Sequence, residues 1–559
     1  MPPTGARIGL DFGMTNSLLT YYDSTAGLVP FTGKAGTAFA VPSVVSYEVV
    51  SEERNASRPD SVLGLLIHGV QHGLQKVAAT ARNLFRRIRI GRAAQWDPSA
   101  RRNFKSRLGP VARLSRSEFD LDNDYLATKA FIQALFAEFL DDYERANGLR
   151  AIESIVVTVP DAWVRGDELG GVETLRHAFH DLGLPSPIFL SEPVAAACYF
   201  VWLFKEKRTR SFRGHVLVYD HGGSTLDISI VHVDGPIVRE VSSYGSGLKG
   251  SDEGFGGVYF DQRVLTHIAD RTQLPSLRSL ANAGSNDPDR LRWLSEFETL
   301  KRDQVSTLEL ADASGTVESL GIISSVEILS SDLTDVFNAE FEEPIRQAIL
   351  GVIGRAQAAE PFDIRSAESF RVMTVGGFSE FHLIQKLVNT LIASAEVEPD
   401  VMQSYLGLND RWQAVSKGAC LVAAEQIEVD YHCPFSFGII WYKDRIPQDD
   451  ELLIYGRPHA DYRTVCFAGR PSFGLGNERQ PLEFYIESSG RRRVLPVHSR
   501  LTDILPDYGH QESWRASGVI HEGTVEVVFR NERSGAQKSV RVGRLMIMID
   551  RVGDGQVDR

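Results

Sequence analysis

The feature that most constrains this chain is a strand-turn-strand pattern that occurs twice. "RIGLDFGMTNSLLTYYD" (Arg7 to Asp23) and "HVLVYDHGGSTLDISIVHV" (His215 to Val233) each run from an apolar strand through aspartate, glycine and a hydroxyl residue into a second apolar strand. Asp11, Gly13 and Thr15 in the first are echoed by Asp220, Gly222 and Thr225 in the second. The echo is one of architecture rather than of residue identity, so two similar lobes are expected, each opening with its own hairpin. A chain of 559 residues has room for them, since one domain takes roughly 150 residues.

A turn of Gly, Ser and Thr lets successive backbone N–H groups converge on one point, which makes an anion site without a basic side chain. Phosphate is the natural guest. A carboxylate at the mouth of each hairpin repels a bare phosphate but suits a divalent cation lying between them. Mg2+ keeps several waters and is held by one or two carboxylates plus substrate phosphates. Asp11 and Asp220 are therefore expected to meet the water shell of Mg2+, with the two turns gripping a phosphate chain from opposite sides. A lone DxGxT match is more often turn chemistry without a ligand. Two in order, followed by the strand-GG-helix segment "FRVMTVGGFSEFHLIQKLV", favour a bound phosphate ligand over turn chemistry alone.

Alternation predicts strands at Ile8–Leu10, Leu18–Tyr22, Ser43–Tyr47 and Ile155–Val159. "YLATKAFIQALFAEFLDDYERANG" reads as a long amphipathic helix capped within Asp122 to Asp124 and stopped at Gly148. Helical spacing also covers Asp287 to about Thr307 and Ser331 to about Glu360, where Pro344 is expected to kink or divide the helix. After Glu425 short alternating runs separated by Gly, Pro, Asn and Asp predict a β-domain, with Arg491 to Arg493 in a hairpin turn.

The net charge of -13 argues against a protein that coats nucleic acid or anionic lipid. The stretch Arg82 to Arg116 runs the other way, with eleven Arg or Lys against Asp97 alone. It is either a solvated face or a phosphate- or partner-facing patch. Cys198, Cys420, Cys433 and Cys466 form no CxxC pair and fit a reducing compartment. The apolar run Pro193 to Phe204 is too short to span a bilayer, and the N-terminus enters a strand by Ile8 without a basic and then apolar leader. A cytoplasmic protein with no membrane or nucleic-acid partner is expected.

Several segments carry a family resemblance. "IGLDFGMTNS", "VPSVVSY", "IVVTVP", "SEPVAAA", "VLVYDHGGSTLDISI", "GGVYFD", "MTVGGFSEFHLIQKL" and "AVSKGA" occur in the order found in the nucleotide-binding domain shared by actin, sugar kinases and DnaK-type heat-shock chaperones. The chain is most similar to the last, over most of residues 7–425. The resemblance implies an α/β fold: a two-lobed, actin-like (ribonuclease H-like) ATPase domain followed by a β-rich C-terminal domain. The ATPase domain would occupy 1–425, with lobe I about 1–206, lobe II about 207–400 and a closing helix to 425. A linker would span 426–438 and the β-domain 439–559.

Residue by residue, the resemblance implies ATP or ADP with Mg2+. Asp11 and Asp220 would order the metal's waters. Gly13, Met14, Thr15 and Asn16 would form one phosphate loop, and Gly222, Gly223, Ser224 and Thr225 the other. Glu192 and Asp227 would polarise or place the attacking water, making them catalytic candidates with Asp220. Gly256 and Gly257 form a further glycine turn. Glu298 and Lys301 would contact ribose, Arg302 would cover the adenine face, and Gly376, Gly377 and Phe378 would let the backbone approach the nucleoside. Lys105 would meet the γ-phosphate through "RRNFKSRLG", with Arg87 of "FRRIRIGR" as the competing alignment.

Three departures bear on activity. Met14 stands where the family has a threonine hydroxyl, Ser224 replaces a loop glycine, and Glu380 replaces an arginine that forms the other side of the adenine sandwich. Slow hydrolysis of ATP to ADP and phosphate, or binding with little turnover, follows. "VDYHCPFSFGIIWY" resembles the family's interdomain junction through Asp430, Pro434, Phe435, Phe437 and Gly438. The implied output is a β-domain that takes unfolded or extended peptide. With no helical lid segment after it, bound peptide is expected to exchange quickly. The alternative is a nucleotide-gated scaffold that binds one dedicated protein partner. A metabolite kinase is least favoured, because no segment matches the aspartate that such kinases direct at a sugar hydroxyl.

Overall fold

The computed structural model describes residues 5–31, 33–34, 36, 40–49, 86–95, 97, 99–102, 104–108, 122–148, 151–161, 163, 171–246, 255–284, 287–394, 401, 408–430, 436–443, 446–453, 464–467, 481–488, 491–500, 514–521, 524–531 and 534–544. The first hairpin consists of β1 (Ala6–Asp11) and β2 (Asn16–Asp23), paired antiparallel from Arg7↔Tyr22 to Asp11↔Leu18. β3 (Gly27–Phe31) extends the sheet beyond β2, and β4 (Val41–Pro42) pairs with the start of β2. β5 (Val45–Val49) and β6 (Arg86–Ile90) form a separate ribbon. On the other side of β1 lies β7 (Ile152–Val159), parallel to it, and then β8 (Ile188–Ser191).

Lobe II repeats this plan. β9 (Arg213–His221), β10 (Leu226–Asp234) and β11 (Ile237–Gly245) are antiparallel neighbours. After a small hairpin of β12 (Ser319–Ile323) and β13 (Val326–Leu329), β14 (Phe370–Val375) joins parallel to β9. The strand orders β3-β2-β1-β7 and β11-β10-β9-β14 correspond, which is the expected internal repeat.

Covered sheets need strands that are apolar on both faces. β7 sends Ile155 and Val157 into the lobe I core and Val156 into a central core. β9 likewise sends Leu217 and Tyr219 into the lobe II core and Val216 and Val218 into the central one. The central core is filled by two helices, Glu192–Arg208 and Leu408–Ala423. Their small residues permit a very close crossing: a methyl group on Gly418 would lie 1.7 Å from the Ala195 carbonyl oxygen.

The long helix is Asn123–Asn147; the Asp122 carboxylate accepts from the N–H groups of Asp124 and Tyr125, and Gly148 ends it at φ 68°. Two helical expectations are refined. The stretch from Asp287 divides at Gln304 into Pro288–Asp303 and Val305–Ser314. The later one divides into Ser330–Val336, a π turn at Phe337–Phe341, and Glu342–Ala359. Pro344 thus stands just after the π turn, at the third position of Glu342–Ala359, so the division falls beside the proline as expected.

β15 (Glu428–Val429) runs parallel to β11, and Asp430 N–H donates to the Val238 carbonyl at 2.9 Å, so the start of the junction lies on the edge of lobe II. Pro434, Phe435 and Cys433 fall outside the described residues. Beyond them stand two four-stranded antiparallel sheets. The first contains β16 (Ser436–Lys443), β17 (Ile446–Leu453), β19 (Pro481–Ser488) and β20 (Arg491–Arg500); the second contains β18 (Thr464–Phe467), β21 (Trp514–His521), β22 (Thr524–Asn531) and β23 (Gln537–Arg544). Phe437 of β16 is buried against Phe484, ring centroids 5.4 Å apart.

One expectation is corrected here. Arg491 to Arg493 lie in strand β20, opposite Ser488, Glu487 and Ile486, rather than in the hairpin turn. The Arg492 guanidinium stacks 4.0 Å from the Tyr485 ring centroid, which gives a basic residue a place on a sheet face. Cys198 and Cys420 are buried thiols, and burial pushes both up. Among the described residues, no helix is long and apolar enough to cross a membrane.

Candidate functional site

The two glycine turns meet. In the first, a methyl on Gly13 would sit 2.0 Å from the Asn16 carbonyl oxygen, so the turn closes too tightly for a side chain. Ser43 braces it: its hydroxyl donates to the Gly13 carbonyl at 2.7 Å and its N–H to the Thr15 carbonyl at 2.8 Å. In the second, Gly222 N–H donates to the Thr225 carbonyl at 3.0 Å, while the N–H groups of Gly257 and Val258 donate to the carbonyls of Gly222 and Gly223. A methyl on Gly223 would lie 2.9 Å from Thr15 Oγ1, which puts the turn of lobe II against that of lobe I. A methyl on Gly256 would lie 2.5 Å from the Ser224 nitrogen, so the third glycine turn packs directly on the second. Met14 and Ser224 are both buried.

The carboxylates gather at the same place. Asp220 and Asp227 are buried and directly opposite each other across β9 and β10. Asp11 ends β1, where the Thr158 hydroxyl approaches it at 3.4 Å. Glu192 opens the helix Glu192–Arg208 and accepts from Lys105 Nζ at 2.9 Å. Lys105 is 2% exposed, with its ammonium 5.7 Å from the ring centroids of both Phe12 and Trp163.

Burial pushes Asp11 up to about 7, helped by Glu192 and opposed by Lys105. Asp220 is held well above the usual carboxylate range by burial, then by Glu192, Asp227 and Asp11, with Lys105 opposing. Asp227 is raised by burial, Glu192 and Asp161. One ammonium cannot balance four carboxylates in a low-dielectric site. This all-oxygen donor set fits a hard divalent cation such as Mg2+, which would supply the missing positive charge.

Of the two alignments for the γ-phosphate cation, Lys105 stands in this cluster, whereas Arg87 lies opposite Glu48 in the ribbon of β5 and β6. Other members of the basic stretch serve lobe I itself. Arg101 and Arg107 approach Asp124 at 4.0 and 3.8 Å, and Arg102 donates to the Gln95 carbonyl.

The remaining candidates lie in lobe II. Glu298 and Arg302 are exposed on the helix Pro288–Asp303. Lys301 on the same helix turns inward to Asp261, 2.5 Å away, and its ammonium lies 5.1 Å from the Phe378 ring centroid and 5.6 Å from that of Phe260. Burial raises Asp261 to about 6 despite Lys301. Gly376 has φ 83°, a conformation that favours glycine, and a methyl there would meet Asp220 Oδ1 at 2.6 Å. The loop Gly376 to Phe378 is thereby tied to the second hairpin at one end and to Lys301 at the other.

Three residues that sequence reasoning passed over matter here. His221, inside the quoted hairpin motif, bonds through Nδ1 to the Tyr219 hydroxyl at 2.8 Å and through Nε2 to the Phe255 carbonyl at 3.1 Å. Burial lowers its pKa to about 3, so it is a neutral brace between the second and third turns. Trp163 covers Lys105, and Trp412 lies against Gly377. Nothing in their local sequence marks either tryptophan as part of a cleft. A separate group, His215, His232 and Glu360, has donor atoms within 4.8 Å of one another, but Arg239 already supplies its positive charge, 2.6 Å from Glu360 Oε2.

A family model described as Hsp70 protein matches residues 70–405, more than half of the chain. The chain is 24% identical over 409 residues to a protein named chaperone protein dnaK1 from Parasynechococcus marenigrum, covering 69% of this chain and 53% of that one. It is 23% identical over 451 residues to the dnaK1 of Prochlorococcus marinus strain MIT 9313, covering 78% and 60%. It is 25% identical over 408 residues to a protein of Pyricularia oryzae named as a heat shock protein, covering 70% and 58%. The matched region spans little more than half the length of these relatives.

Proposed function

This chain belongs to the Hsp70 family, and from that premise we propose that it binds Mg-ATP between its two lobes, hydrolyses it slowly, and signals through residues 426–438 to a C-terminal β-domain that takes unfolded or extended peptide. The observation that carries this reading is the meeting of Gly223 and Thr15, turns from separate lobes, beside a buried cluster of Asp11, Glu192, Asp220 and Asp227 with Lys105 as its cation.

Backbone N–H groups of the turns Gly13 to Asn16 and Gly222 to Thr225 hold the phosphates. Asp11 and Asp220 orient the water shell of Mg2+, and the metal, when bound, neutralises charge on the phosphate chain. Lys105, held by Glu192 and the rings of Phe12 and Trp163, directs fixed positive charge at the γ-phosphate, where charge develops in the transition state. Glu192 and Asp227 accept hydrogen bonds from the attacking water. Glu298 and Lys301 hold the ribose, with Lys301 exchanging part of its bond to Asp261. Since the γ-phosphate touches both turns, its loss removes contacts that favour the closed lobes. That differential affinity is what can shift β15, paired to lobe II, and the junction beyond it.

Phosphate release measured at steady state with and without an unfolded apolar peptide tests the reading. Stimulation by peptide is expected; no nucleotide binding by calorimetry would overturn it. One observation favours a second reading. Met14 is buried in the first turn, and a thioether cannot donate the hydrogen bond that a threonine hydroxyl would. A nucleotide-gated scaffold with one dedicated partner and little turnover would give tight ATP binding and no response to peptide.

A further inference from the structure

Glu380 leaves the loop Gly376 to Phe378 without the guanidinium that stacks on the base in the family, and the fold supplies an aromatic surface in its place. A methyl on Gly377 would lie 2.9, 3.3 and 3.5 Å from Cη2, Cζ3 and Cζ2 of Trp412, so the benzo edge of the indole rests on the glycine backbone. Trp412 comes from the start of the helix Leu408–Ala423 and is half-buried. Glu380 closes the same 3-10 turn, Gly377–Glu380. Its carboxylate stands under the charge of Arg411 and beside the Trp412 side chain, while Oε1 is buried with no hydrogen-bond partner among the described residues. A buried acceptor left open is costly unless a ligand donor reaches it.

We propose that Trp412 is the stacking platform for the nucleobase and that Glu380 Oε1 accepts a hydrogen bond from an exocyclic amino group, so the pair selects adenine over a purine lacking that amine. This rests on the reading of the cleft as a nucleotide site. Every base presents a π face to an aromatic ring, so stacking supplies affinity with little selectivity. The carboxylate supplies selectivity, because a purine with a carbonyl at the same position would set one acceptor against another.

Calorimetric titration of ATP and ITP into the full chain with Mg2+, for wild type, Trp412→Ala, Trp412→Phe and Glu380→Ala, tests both halves. Trp412→Ala is expected to weaken ATP binding about ten- to hundredfold, and Trp412→Phe only a few-fold. Glu380→Ala should bring an ATP preference of about tenfold close to unity. Intrinsic fluorescence gives an independent readout: ATP should quench emission of the wild type, and Trp412→Phe should lose part of that quench, the remainder belonging to Trp163 beside Lys105. Should Trp412→Ala fail to fold, the phenylalanine variant still decides the stacking role. ATP affinity unchanged in Trp412→Ala, quenching undiminished in Trp412→Phe, or an unchanged ATP-to-ITP ratio in Glu380→Ala, with wild type binding normally, would overturn the inference alone. A wild type that binds no nucleotide would overturn the cleft reading and this one with it.

Discussion

Lys105 Nζ lies 2.9 Å from Glu192 Oε1, and this buried pair joins residues 87 positions apart within the carboxylate cluster. The lysine faces two aromatic rings and opposes the charges of Asp11 and Asp220. Its ammonium is therefore fixed in direction before any ligand arrives, which is the condition for electrostatic stabilisation without reorganisation.

Lys105→Ala should slow ATP hydrolysis about a hundredfold, on the order of 3 kcal/mol of transition-state stabilisation, while nucleotide affinity changes much less. Single-turnover phosphate release beside a binding titration separates the two. An unchanged rate would remove Lys105 from the reaction and bring Arg87 forward.

Asp220→Ala should abolish the dependence of nucleotide affinity on Mg2+. The side chain is one of two opposed buried carboxylates, and in the proposed site its loss would take away a contact to the metal's waters while relieving repulsion between Asp220 and Asp227. Affinity measured with Mg2+ and with excess chelator should converge in the variant. A persistent difference would count against the clamp formed by the two hairpins.

Gly223→Ala places a methyl 2.9 Å from Thr15 Oγ1. The contact lies between lobes, so the cost should fall on closure: ATP affinity should drop roughly tenfold, with the melting temperature of the nucleotide-free protein nearly unchanged. A large loss of stability with normal affinity would show that the turns are packed as structure alone.

Glu360 carries the pH prediction. Burial pushes its carboxyl up, but hydrogen bonds from Arg239 and His215 outweigh this and the net shift is downward. A folded-state value below the unfolded one stabilises the protein above pH ~4.5 and is lost as pH falls further. Glu360→Gln should cost about 1 kcal/mol at pH 7 and flatten the acid limb of the stability curve. Denaturant melts at pH 7 and pH 4 would show it; equal losses at both would dissociate Glu360 from the acid transition.

Local chemistry is legible without a structure. The paired hairpins, the Asp122 cap, the Gly148 stop and the strand-turn-helix around Gly376 and Gly377 each depend on neighbours within a few residues, and turn geometry restricts which residues can stand there. Ambiguous short-range signals mislead. Three consecutive arginines at 491–493 read as a solvated turn, yet they belong to a strand whose partner offers the Tyr485 ring to Arg492.

What the sequence by itself determined is the repeated two-lobed plan and the turns that open each lobe, because backbone propensity and apolar periodicity are written in contiguous residues. Only the tertiary structure decided that Lys105 stands beside Glu192, that Lys301 turns to Asp261, and that Trp412 lies on Gly377. Those partners are tens of residues apart in the chain, and their meeting is set by how the lobes and the crossing helices pack, a property that no local window contains.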